Sequence, residues 1–82
     1  MAEEVTFDIL QAIQAVVEGR ELTAEEATAA MDAIMTGQAT PAQIGALVTA
    51  LRMRGETVQE IAGFAAAMRR HALAVSLLDD VR

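Results

Sequence analysis

The stretch from Gly37 to Gly63, GQATPAQIGALVTALRMRGETVQEIAG, limits what this chain can fold into more than any other part of it. Thr40 suits an N-cap, Pro41 fits the first helical position where no N–H is needed, and Gln43 stands where a capping box wants Glu or Gln. Gly55 then ends the helix as a left-handed C′ residue. At about 100° per residue, Ile44, Leu47, Val48 and Leu51 fall on one stripe, and Ala42, Ala46, Thr49 and Met53 on a second, roughly opposite. A helix with two such faces needs two neighbours. One face fills its own domain's core, and in so short a chain the other is expected to meet a second protein chain or a missing part of the same one.

The chain has 82 residues, enough for one small domain near the size where a single core suffices only marginally. It has no cysteine, which removes disulfides and thiolate metal sites. Phe7 and Phe64 are the only aromatics in a composition rich in Ala, Leu, Ile, Val and Met, a mixture suited to closely packed helices rather than sheets. The fold expected is all-α. The net charge is −6, with arginine supplying all six fixed positive side chains, which argues against a nucleic-acid backbone or an anionic membrane as partner. No apolar run reaches a membrane-span length, and Met1–Glu4 is acidic where a secretory signal is basic. The chain reads as cytoplasmic.

Taken in order, Thr6 is the candidate N-cap of a first helix over about 7–18, with Ile9, Leu10, Ile13, Val16 and Val17 inward and Gly19 as its stop. Thr23-Ala-Glu-Glu26 is a capping box opening a second helix over about 24–36, whose stripe is Ala27, Ala30, Met31 and Ile34. The double-faced third helix covers about 41–54. Glu56-Thr57-Val-Gln-Glu60 caps the fourth, about 58–71, with Ile61, Phe64, Ala65 and Met68 as its stripe. Residues 1–72 thus form a compact bundle of four short helices. Residues 73–82 read as a loose tail or a truncated linker: Ala72–Leu78 either extends the last helix or peels away, Leu73, Val75 and Leu77 alternating as a strand would.

Catalytic chemistry finds little purchase in this pattern. The carboxylates cluster in first helical turns or at the tail, where capping and solvated faces account for them. His71, the one histidine, reads with Arg69 and Arg70 as a cationic helix end rather than a ligand or a base. The three together offer an attraction for phosphate, although anions prefer the N–H groups of helix N-termini. Gly45 and Gly63, inside helices, are expected to permit close helix packing. No residue is assigned as catalytic, cofactor-binding or metal-binding. The second stripe of the third helix is instead read as a contact face, because Met53 adds a large flexible apolar group to its small neighbours.

The segment Gly37 to Arg69, GQATPAQIGALVTALRMRGETVQEIAGFAAAMR, resembles the N-terminal helical domain of anthranilate phosphoribosyltransferases. Gly19-Arg-Glu-Leu-Thr23, Glu25-Glu26-Ala27 and Met31-Asp-Ala-Ile-Met35 extend the likeness upstream. Pyrimidine-nucleoside phosphorylases share the domain, but their segment matching Leu51–Thr57 usually carries an aromatic residue and a different residue after the glycine. The resemblance implies a longer enzyme that transfers a phosphoribosyl group from phosphoribosyl pyrophosphate to anthranilate in tryptophan biosynthesis, using Mg2+. Its phosphate-cradling loop and metal-binding residues belong to a larger α/β catalytic domain beyond the positions matched here. The resemblance also implies a homodimer formed through this helical domain.

The resulting expectation is a helical dimerisation domain, non-catalytic alone, associating through Ala42, Ala46, Thr49 and Met53 of the third helix with Gln43 at the rim. Its other expected partner is the missing catalytic domain. A reading from a different class, a free-standing acidic helical adaptor for another protein, shares the fold but not the enzyme. An acyl carrier is set aside, because no Asp-Ser dipeptide opens a helix.

Overall fold

A computed structural model describes the backbone of residues 7–79 and the side chains of residues 7–72. Four helices follow one another: α1 (Ile9–Val17), α2 (Ala24–Met35), α3 (Pro41–Arg54) and α4 (Val58–Asp79). Among the described residues there is no strand. The all-α expectation holds, and α4 takes the helical alternative by running through residues 72–78 to Asp79.

Local chemistry accounts for each start. The N-cap of α1 is Asp8, not Thr6, which lies outside the described residues; the Asp8 carboxylate accepts the Gln11 N–H while the Gln11 side chain accepts the Asp8 N–H, both at 2.9 Å. Thr23 with Glu26, Thr40 with Gln43 and Thr57 with Glu60 repeat this reciprocal box on α2, α3 and α4. Each box satisfies two of the N–H groups that a helix start otherwise leaves without partners.

The stops differ from one another. Gly19, at φ +89°, closes α1 in a Schellman turn in which the Arg20 N–H reaches the Ala15 carbonyl at 2.9 Å,. Gly55 has the expected positive φ of 95°, but its ψ of 119° lies outside the left-handed helical well, so α3 ends through an open turn,.

The helices pack as α2 on α4 and α1 on α3, with a smaller contact between α1 and α2. Ile9, Ala12, Ala15 and Val16 of α1, Ala27 and Ala30 of α2, and Leu47 and Leu51 of α3 share one core with Leu22 from the α1–α2 loop. Fully burying a side chain the size of Leu22 or Leu47 is worth roughly 1.5–3 kcal/mol, so a loop residue contributes as much as a helical one.

Two of the expected stripes are rotated. In α1, Leu10 and Val17 are exposed while Ala12 and Ala15 are buried. In α4 the buried positions are Glu60, Gly63 and Ala67, whereas Ile61 and Met68 are exposed. The reason is the closeness of α2. A Cβ on Gly63 would stand 2.5 Å from the Ala24 carbonyl oxygen and 2.8 Å from the Ala27 Cβ, a separation that only small residues permit on α4. Gly63 therefore packs as expected. Gly45 does not, since nothing lies within 4 Å of a Cβ built there.

Candidate functional site

The expected contact face of α3 is uncovered. Leu47 and Leu51 are buried and Ile44 is half-buried, but Val48, expected inward with them, is exposed at the rim of an apolar cleft toward α2 and α4; Ala42, Ala46, Thr49 and Met53 are all exposed, Met53 at 84%. Gly45 lies in the same exposed arc, with open space above it. Gln43 is half-buried on the flank of this face, and its side-chain oxygen is held by the Thr40 N–H at 2.9 Å. α3 thus spends one face on the core and presents the other to its surroundings.

What fixes the orientation of α3 is a buried knot that periodicity did not reveal. The Glu60 side chain is wholly inaccessible. It accepts the Leu22 N–H at 2.6 Å and the Thr57 N–H at 2.9 Å, and it pairs with the Arg54 guanidinium. Arg54 also donates to the Arg20 carbonyl at 2.6 Å, and the Gln59 amide donates to the Leu22 carbonyl at 3.1 Å. The α1–α2 loop meets there the end of α3 and the start of α4, more than thirty positions further along the chain. Burial, the largest influence, pushes the Glu60 carboxyl up, but Arg54 and the Leu22 and Thr57 N–H groups together outweigh it and hold the carboxyl below its ordinary value,. The carboxylate is therefore more than the solvated cap its sequence position implied.

A second polar cluster joins α2 to α4. The Arg70 guanidinium donates to both oxygens of Asp32, at 2.8 and 2.7 Å, and His71 Nε2 lies 3.0 Å from Asp32 Oδ1. Hydrogen bonding from His71 leads the causes that hold Asp32 below its ordinary value, Arg70 adding to it against partial burial. The expected cationic helix end is thereby corrected: α4 continues past these residues, which instead lean across to a carboxylate on α2. Two of the three groups offered to phosphate are already engaged with an anion.

A cavity of about 470 Å³ beside this cluster is lined by Phe7, Asp8, Thr36 and Gln38 among others. Another, of about 330 Å³, is apolar and lies between Met31 and Ile34 of α2, Val48 of α3, and Ile61 and Phe64 of α4. Among the described residues, no group of three or more His, Asp or Glu side chains is placed to hold a metal ion. No described helix is long and apolar enough to cross a membrane.

Comparison with known proteins decides the family. The model of the glycosyl transferase family, helical bundle domain, matches residues 10–72. The chain belongs to this family. The anthranilate phosphoribosyltransferase of Thermomicrobium roseum is 62% identical over 65 residues, covering 79% of this chain and 19% of the relative. That of Pelobacter propionicus is 58% identical over 64 residues, covering 78% and 18%. That of Rhodopseudomonas palustris is 53% identical over 74 residues, covering 90% and 22%. The chain thus spans about a fifth of the length of the curated relatives it matches. No solved structure matches it.

Proposed function

We propose that this chain serves as the N-terminal helical domain of an anthranilate phosphoribosyltransferase, supplying a homodimer contact while the catalytic groups and the magnesium reside in an α/β domain. The phosphoribosyl transfer itself belongs to the whole enzyme, which we place in the cytoplasm. The observation that carries the dimer reading is the exposed apolar arc of α3, with Met53 at its C-terminal end. An exposed methionine among Ala42, Ala46 and Thr49 combines an adaptable side chain with neighbours small enough for a second helix to come close.

Light scattering after size exclusion, over a range of concentrations, tests this. The expected result is a dimer that dissociates on dilution, and its loss in Met53→Asp with helicity unchanged, because an unpaired carboxylate is costly to bury. A strict monomer at every concentration, or a Met53→Asp dimer as tight as the parent, would overturn the reading.

A further inference from the structure

We propose that Asp32 is a salt-sensitive latch, holding the far end of α4 against α2 through Arg70 and His71.

Helices α2 and α4 run side by side in one register. The Leu22 N–H, just before α2, donates to Glu60, and Arg70 donates to Asp32, both pairs 38 positions apart. On the same offset Met35, the last residue of α2, comes level with position 73. Residues 74–79 of α4 therefore run past α2, about 9 Å of helix at about 1.5 Å per residue,. The direction of this projecting end depends on what ties α4 to α2 just before it.

Those ties change character along the pair. At the near end the contact is close packing: Gly63 lies against Ala24 and Ala27, Ala67 is buried, and the Thr28 hydroxyl donates to the Gly63 carbonyl at 3.2 Å. Among the described side chains, Ala67 is the last of α4 to be buried. One turn on, Arg70 and His71 stand to either side of the line through Ala67, and both turn to the single carboxylate of Asp32. Arg70 is exposed, and Asp32 and His71 are half-buried.

No packed layer backs this latch, because the cavity of about 470 Å³ lies on its α1 side with Phe7 and Asp8 across it. Nor do neighbouring carboxylates replace Asp32: Asp8 accepts the Gln11 N–H, and Glu25, in the same shallow cleft as Arg70, makes no pair with it. Packing of small apolar groups is not screened by salt. An ion pair open to water is, once the Debye length falls to about 3 Å near 1 M. Ionic strength therefore releases the far end of α4 and leaves the contact around Gly63 in place.

The chain has no cysteine, so Glu21→Cys in the loop before α2 and Ala72→Cys on α4, both exposed, give a defined nitroxide pair. Pulsed EPR measures their distance, with unlabelled chain in excess to remove distances between copies. In low salt the parent is expected to show one narrow distribution, and Asp32→Asn to widen it about twofold with circular dichroism unchanged. About 1 M NaCl is expected to widen the parent to the same extent and to leave Asp32→Asn as it was. A parent distribution identical in both salts, or an Asp32→Asn distribution as narrow as the parent's, overturns the latch. So does a salt response that persists in full in Asp32→Asn, since it then arises elsewhere. The salt series on the parent needs no substitution at Asp32 and decides even where that variant folds poorly.

Discussion

The carboxylate of Glu60, in the first turn of α4, accepts the backbone N–H of Leu22 at 2.6 Å across 38 positions of sequence. One side chain thereby closes its own helix cap, satisfies a buried loop amide and neutralises Arg54. Removing it leaves an arginine and two N–H groups without their partner in a place where water has little access. Glu60→Ala is therefore expected to lower unfolding free energy by about 3–5 kcal/mol, the usual cost of breaking a buried pair. Glu60→Gln keeps one acceptor and is expected to lose less. Urea unfolding followed at the helical band measures both. Equal, small losses would show that the knot contributes little.

Acid should expose the same arrangement. Glu60 and Glu26 lie below their ordinary value of 4.5, and Asp32 below 3.8, in the folded chain. Hydrogen bonding to Arg20 is the main cause for Glu26, and the Thr23 N–H adds to it. A carboxyl depressed by folding takes up its proton first in the unfolded state, so its stabilisation is complete above the ordinary value and is lost as pH falls through the folded one. The thermal midpoint is expected to stay nearly level from about pH 7 to about pH 5 and to drop below about pH 4.5. The drop should be shallower in Glu60→Gln. A midpoint that rises on acidification would contradict the sign.

The two helical glycines should respond oppositely to alanine. At Gly63 the new methyl meets the α2 backbone, and overpacking of about 1–3 kcal/mol exceeds the gain of about 1 kcal/mol in helix propensity. At Gly45 the methyl enters open space, so alanine is expected to stabilise the monomer by about 0.5–1 kcal/mol. Denaturant midpoints, measured at a concentration where light scattering gives the monomer mass, compare them. The same sign at both positions would refute the close α2–α4 contact.

Capping offers a smaller effect. Asp8→Ala removes the acceptor for the Gln11 N–H and is expected to cost about 1 kcal/mol, read as faster amide exchange in the first turn of α1. Unchanged exchange there would mean that the tertiary contacts of Ile9 and Ala12 hold the turn without its cap.

The sequence by itself determined what depends on neighbours three or four positions away. The boxes at Thr23, Thr40 and Thr57, the stop at Gly19 and the core positions Leu47 and Leu51 of α3 are all local relationships, and the family resemblance rests on the same short motifs. Tertiary structure alone decided which side of α1 and α4 was buried, because that depends on how closely a partner helix approaches. It put Ala12 and Gly63 inside while Leu10 and Ile61 faced outward. It also made a buried anchor of Leu22 and a buried acceptor of Glu60. Hydrophobicity ranks Glu60 as surface, and only the convergence of Arg54 with the Leu22 amide, from segments far apart in the chain, supplies the opposite charge and hydrogen bonds that make its burial favourable.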